Sequence, residues 1–228
     1  MHIIAVIAQK GGTGKTTLAL CLAVEAERHG KTTAVVDLDP QATASNWGDR
    51  RQTTNPVIVS AQPARLRQVL AAARANGADL VFIDTPARSE QSALEAAKAA
   101  DIVLIPCRPA IYDLETLETT VELIRYAGAR STAVVLNGVP SRGAKRAQAE
   151  EVVRGLAIPI CPAAFGYRAA FNDSGALGLT AYEYEPGGKA ALEIEQVYTF
   201  VSKLVKELPS EQGGNCVKES HRPASRHA

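Results

Sequence analysis

Gln9-Lys10-Gly11-Gly12-Thr13-Gly14-Lys15-Thr16-Thr17 follows without a break on the apolar run His2–Ala8 and opens the alanine- and leucine-rich stretch Lys15–His29. A buried strand, a glycine-rich turn and a helix in that order make the setting a phosphate cradle needs. Glycines let backbone N–H groups turn inward, and the first turn of the helix adds partial positive charge. On this reading Gly11, Gly12, Thr13 and Gly14 wrap a polyphosphate and Lys15 reaches its β- and γ-phosphates. The Thr16 hydroxyl ligates Mg²⁺, and Thr17 bonds an α-phosphate oxygen. The common pattern G-x-x-x-x-G-K-[ST] fails at its first position, where Gln9 stands. In its place the loop carries a second, early lysine, Lys10.

Outward from the loop, apolar β-branched runs alternate with helical patterns. The expected strands are His2–Ala8, Thr33–Asp37, Pro56–Ser60, Asp79–Asp84, Ile102–Pro106, Thr132–Asn137 and Ile158–Cys161. Helices are expected at Lys15–His29, Ala64–Asn76, Ser89–Ala100, Leu114–Ala127, Arg142–Leu156 and about Gly188–Leu208. Continuous apolar strands fit a parallel sheet covered on both faces. The alternation therefore predicts an α/β fold: a doubly wound, mainly parallel sheet with helices on both faces.

Two of these strands end in carboxylates. Val35-Val36-Asp37-Leu38-Asp39-Pro40 closes one and Phe82-Ile83-Asp84-Thr85-Pro86 the other. Ligands of open α/β sheets bind at the carboxyl ends of strands. Asp84 is expected to hold Mg²⁺ through water, and Asp37 to support the same water shell. Asp39 opens a loop, where it either positions the attacking water or serves as a cap.

These residues resemble the ParA/MinD family of P-loop ATPases with a deviant Walker A motif. The resemblance is carried by KGGTGKTT (10–17), VVDLDPQATASNW (35–47) and FIDTP (82–86), and more weakly by EYEPGGKAALEIEQV (183–197). The D-L-D-P-Q form and a chain that begins at its first strand are similar to the small ParA proteins. The resemblance spans about residues 1–208 and implies ATP and Mg²⁺ as cofactors and slow hydrolysis of ATP to ADP and phosphate. It also implies a homodimer closed over ATP. Lys10 would then act on the phosphates bound by the facing subunit, and Gly12 would leave room for that subunit. Lys10, Lys15 and Asp39 become the catalytic set, and Asp84 to Pro86 a switch that senses the γ-phosphate. Asn137 is placed where the family often reads adenine, with the Pro159–Pro162 segment, Pro162 above all, walling the base; a strand-end turn asparagine reads equally well there. The family further implies non-specific DNA binding in the ATP state, release by an adaptor or centromere-binding protein that stimulates hydrolysis, and a cytoplasmic, nucleoid-associated location. The cargo would be a plasmid, a chromosome region or a protein organelle. A MinD-like membrane-cycling regulator is the alternative.

The whole chain bounds these expectations. Its 228 residues, 46% hydrophobic and 21% charged, suit one globular α/β domain. Net charge is +1, and the tail takes three basic and two acidic residues, leaving 22 of each in residues 1–208. DNA contacts must therefore come from local positions: Arg142, Lys145, Arg146, Lys189, Lys203 and Lys206 are the candidates. Cys21, Cys107, Cys161 and Cys216 match no metal or cluster spacing and read as buried or incidental thiols. The N-terminal run is too short for a signal peptide or a span. The last helix carries an apolar stripe of Leu192, Val197, Val201, Leu204, Val205 and Leu208, expected to pack on the sheet rather than on a membrane. Residues 209–228 are rich in Ser, Gly, Pro, His and charge and are expected to be a disordered polar tail.

Overall fold

The computed structural model describes residues 1–208, so the expected tail at 209–228 and Cys216 lie outside the described residues. Six strands form its sheet: β1 (His2–Val6), β2 (Thr33–Asp37), β3 (Val57–Ser60), β4 (Leu80–Asp84), β5 (Ile102–Cys107) and β6 (Ser131–Leu136). They run in the order β3-β2-β4-β1-β5-β6, and every pairing is parallel. The helices are α1 (Lys15–Arg28), α2 (Thr43–Arg50), α3 (Leu66–Ala75), α4 (Glu90–Ala99), α5 (Ile111–Ala127), α6 (Lys145–Gly155), α7 (Ala169–Ala176), α8 (Ala181–Tyr184) and α9 (Lys189–Glu207).

The apolar runs read as continuous because alternate residues feed two different cores. Ile4, Val6, Val35, Phe82, Ile102, Leu104 and Val135 pack with α1 and α9 on one face. Ile3, Ala5, Val36, Val81, Ile83, Val103 and Leu136 pack with α3, α4, α5 and α6 on the other. Strands β2, β4 and β5 are consequently buried along their full length. α1 lies deepest among the helices, with Leu18 to Ala26 all buried, and this fixes the turn that precedes it. The α9 stripe packs on the sheet except at Leu192: Val197 and Val201 are buried, Leu204, Val205 and Leu208 lie against the same core, and Leu192 is exposed in the helix's first turn.

The chain leaves β1 for β2 on one side of it. After β4 it crosses β1 to reach β5 on the other side. Such a switch point opens a crevice at the carboxyl ends of the strands. The ends of β1, β4 and β2 meet there in register, with Val6 opposite Asp84 and Asp84 opposite Asp37.

Four segments depart from the sequence reading. The expected seventh strand, Ile158–Cys161, makes a single bridge between Ile160 and Val134. Pro159 and Pro162 flank it, and neither has an N–H to continue a ladder. α2, α7 and α8 were not anticipated. α2 is eight residues long with a glycine inside, and no side chain at its own N-cap residue bonds it. Its cap comes from β2: Asp37 Oδ2 accepts the Ser45 N–H at 2.9 Å and the Ser45 hydroxyl at 3.1 Å. α7 is as short and also holds a glycine. α8 is opened by a Thr180–Glu183 capping box, a signal that was present in the sequence.

Candidate functional site

The loop of residues 9–14 caps β1 at the switch point, and its backbone is pinned from three sides. The Asn137 side-chain amide donates to the Thr13 carbonyl at 2.6 Å. Gln9 accepts the Arg88 N–H on its carbonyl at 3.2 Å and the Thr119 hydroxyl on its side chain at 3.3 Å. The Thr85 hydroxyl bonds the Val6 carbonyl at 2.8 Å, tying the end of β4 to the strand that feeds the loop. The Gln9 side chain thus reaches α5, and Gln9 is not among the residues with positive φ, so the loop requires no glycine at its first position.

Gly14 has φ +92°, and a Cβ there would stand 1.8 Å from the Asn137 amide nitrogen. Only glycine combines that backbone with the Asn137 latch. Gly12 has φ +73° and is exposed at the mouth of the turn, with the Arg108 guanidinium about where its Cβ would point.

Lys15 and Thr16 carry the electrostatics. Lys15 is buried, and its ammonium donates to the Lys10 carbonyl at 3.2 Å. Burial pushes its pKa down, while Asp84 and Asp39 act in the opposite direction. It is a desolvated cation with backbone, not a carboxylate, as its bonded partner, so an incoming anion gains the full attraction. Asp84 is fully buried; its Oδ2 accepts the Thr16 hydroxyl at 2.6 Å, and its Oδ1 is buried with no partner. Burial lifts the Asp84 carboxyl to about 7, the Thr16 bond pulling the other way and Asp37 adding to the rise. An orphaned carboxylate oxygen beside a threonine hydroxyl is a donor set in want of a cation. Among the described residues no cluster of three or more His, Cys, Asp or Glu side chains could hold a metal ion. Mg²⁺ suits such a site, because it is held by one or two carboxylates together with phosphate oxygens and water.

The remaining expected residues fall as follows. Asp37 is fully buried, and both its oxygens are engaged: Oδ1 accepts the Asp39 N–H at 3.0 Å and Oδ2 holds Ser45. It anchors the loop that carries Asp39. Asp39 is partly exposed, and its Oδ1 accepts the Gln41 N–H at 2.9 Å, a local turn bond that leaves the carboxylate at the site's edge. Thr17 lines a cleft with Thr43, Trp47 and Asn172. Asn137 is brought to the loop as a latch. Pro162 is exposed; its carbonyl accepts from Arg146 at 2.7 Å, and among the described residues no bond draws it to the loop.

Lys10 does not face the turn. Its ammonium pairs with Asp113 in the first turn of α5 and lies 5.5 Å from the Tyr112 ring centroid. The same carboxylate accepts Arg108 Nε at 2.6 Å. Asp113 and Arg108 escaped the sequence reading because about a hundred residues separate them from Lys10. An acidic residue in a helix's first turn was the one available sign. α2 is also stitched to the chain after α7. Trp47 Nε1 donates to the Leu179 carbonyl at 3.1 Å, and Arg51 pairs with Glu183 at 2.7 Å.

The DNA candidates do not share one face. Lys203 and Lys206 line a hollow with His2, Lys31 and Leu80, at the amino ends of the strands and away from the loop. Arg142 and Lys145 follow the carboxyl end of β6 and are exposed, while Lys189 is exposed at the opposite end of α9 from Lys203. Arg146 is engaged by Glu150 at 2.8 Å. Cys21, Cys107 and Cys161 are buried and free, and burial pushes their thiols up to about 12, about 12 and about 11. They are protonated fillers of the core. No helix among the described residues is long and apolar enough to cross a membrane.

Known proteins share this chain's sequence pattern and fold. Residues 4–181 match the family model described as the CobQ/CobB/MinD/ParA nucleotide binding domain. The chain is 33% identical over 213 residues to the maintenance of carboxysome distribution protein A of Gloeobacter kilaueensis, covering 89% of this chain and 93% of that one. It is 34% identical over 144 residues to the chromosome-partitioning ATPase Soj of Thermus thermophilus, covering 49% of this chain and 57% of Soj. Among solved structures, the septum site-determining protein MinD of Pyrococcus horikoshii, in complex with Mg-ADP, superposes with a TM-score of 0.75. That match has 21% identity and covers 92% of this chain and 99% of MinD.

Proposed function

The chain belongs to the CobQ/CobB/MinD/ParA nucleotide-binding domain family, and we propose that it is an ATP-driven dimeric switch for positioning a cargo. Its ligands are ATP and Mg²⁺. The cargo is a plasmid, a chromosome region or a protein assembly, in line with relatives named for carboxysome distribution and chromosome partitioning. The observation that carries the reading is the doubled lysine. Lys15 is buried inside the turn, whereas Lys10 stands at its mouth, 30% exposed and aimed away from its own loop. A second cation so placed serves phosphates held by another copy.

Within one subunit the loop amides and Lys15 grip the polyphosphate, and the Asn137 latch keeps the turn rigid. Thr16 and Asp84 would hold Mg²⁺, which when bound would supply charge neutralisation at the phosphates. Asp39 orients the attacking water from the loop that Asp37 anchors. Because Asp37 also caps α2, movement at Asp39 is passed to α2 and, through Trp47 and Arg51, to the α7–α8 segment. That segment gives an adaptor a place to stimulate hydrolysis.

In the ATP state two copies present their exposed basic residues together, and DNA is held by phosphate contacts without base readout. This gives a nucleoid-associated protein. Arg142, Lys145 and Lys189 are the better candidates, since they lie toward the loop end of the molecule. The packing of the α9 stripe on the sheet favours this reading over membrane cycling.

Co-sedimentation with plasmid DNA and, separately, with anionic liposomes tests the proposal. Wild-type protein should be retained on DNA only with Mg-ATP, and not on liposomes. Lys10→Ala should bind ATP within about threefold of wild type, because the Lys10 ammonium is turned to Asp113 and away from its own loop, yet should lose DNA retention. ATP-dependent pelleting with liposomes alone would replace this reading with the membrane one.

A further inference from the structure

Two separate ties hold Lys10 within its own subunit. Its carbonyl accepts the Lys15 ammonium at 3.2 Å and the Thr13 hydroxyl at 3.4 Å. Its own ammonium pairs with Asp113, whose side chain is 1% exposed. The first tie lies inside the phosphate cradle, so a polyphosphate that takes up Lys15 removes it. The second tie lies outside the cradle, so a polyphosphate in the same subunit does not displace it directly.

Asp113 is no ordinary partner. It is buried against the loop and is held on its other oxygen by Arg108 at 2.6 Å. The first-turn amides of α5 favour its charge as well. Burial alone would push its carboxyl up, but the bonds from Arg108 and Lys10 hold it below the usual carboxylate range. If Lys10 departs, Asp113 is not stranded, because Arg108 remains bonded to it. Arg108 is 42% exposed and already lies against Gly138 and beside Gly12, so it can stay in place while the loop reorganises. Losing one partner of a buried charge is costly when no other partner remains; here one remains.

We propose that Asp113 and Arg108 form a clasp that keeps Lys10 in its own subunit and sets how readily the chain dimerises on ATP. Asp113 competes with the facing subunit's phosphates for Lys10. Arg108 weakens that competition by sharing the carboxylate. Both are positioning residues that act through Lys10, and the proposal rests on the reading that Lys10 works across the interface. The two side chains therefore oppose each other, a pattern that simple loss of packing does not produce.

The test is the concentration of Mg²⁺ and a non-hydrolysable ATP analogue that brings half of the full-length chain into dimers, measured by light scattering. Asp113→Asn frees Lys10 and should lower that concentration by about three- to tenfold, the gain expected when a fractionally populated competent state becomes dominant. Arg108→Gln leaves Lys10 as the sole counter-ion and should raise it by a similar factor. Both variants moving the same way, or neither moving, overturns the clasp. Should Asp113→Asn fail to fold, Arg108→Gln decides: a raised threshold supports the clasp, and an unchanged or lowered one overturns it. Lys10→Ala separates the layers. If it abolishes the dimer while Asp113→Asn and Arg108→Gln are silent, the clasp alone is wrong; if it dimerises like wild type, the trans role of Lys10 fails and the clasp with it.

Discussion

Lys15→Ala should weaken ATP binding by about a hundredfold or more, read by calorimetry or by a fluorescent ATP analogue. Truncating one partner of a buried, hydrogen-bonded charge pair costs about 2–5 kcal/mol, and each ~1.4 kcal/mol is tenfold in affinity. Lys15 meets the conditions for the upper part of that range. It is buried, its pKa is driven down by desolvation, and in the free protein its ammonium bonds a carbonyl and no carboxylate. The cost of burying this cation is met when phosphate arrives. The same reasoning predicts that the substitution leaves the fold intact or slightly more stable, since it removes a desolvated charge. Thermal melting would therefore rise or hold while ATP affinity collapses. Affinity within about threefold of wild type would remove Lys15 from the phosphate site.

Asp39→Ala should slow ATP hydrolysis by about a hundredfold or more while sparing ATP binding, as general-base contributions of about 10²–10⁴ suggest. The geometry separates Asp39 from its neighbours. Asp37 and Asp84 are wholly buried and bonded to Ser45 and Thr16, whereas Asp39 is partly exposed on a loop whose backbone Asp37 holds. It is the carboxylate that can meet water. Phosphate release in single-turnover assays is the readout, with ATP-bound dimers accumulating as turnover stops. Normal turnover would assign Asp39 to its turn bond with Gln41 alone.

The legible part of the molecule was the part written in contiguous residues. The turn at 9–17, the carboxylates closing β2 and β4, and the strand–helix alternation all sit where local chemistry put them. The continuous apolar runs were informative because alternate residues enter two cores, so five of the six strands had no polar face to confuse the period. What stayed hidden depends on distant partners. α2 begins where Asp37 reaches across from β2 to Ser45, so no residue next to the helix announces it. Ile158–Cys161 has a strand's composition, but Pro159 within it and Pro162 after it limit it to one bridge. Asn137 directly follows β6, and its Oδ1 accepts the Gly138 N–H at 2.8 Å as a turn asparagine does, yet its amide also donates to the Thr13 carbonyl, a use that neither reading named. The Asp113–Arg108 pair became visible only once α5 was placed beside the loop.

A triphosphate in this turn is expected to bring two chains together. Light scattering on the purified full-length chain tests it most directly, without nucleotide, with Mg-ADP, and with Mg²⁺ and a non-hydrolysable ATP analogue. The expected mass is that of one chain in the first two conditions and of two chains in the third. A single-chain mass in all three, at analogue concentrations that saturate binding, would contradict it.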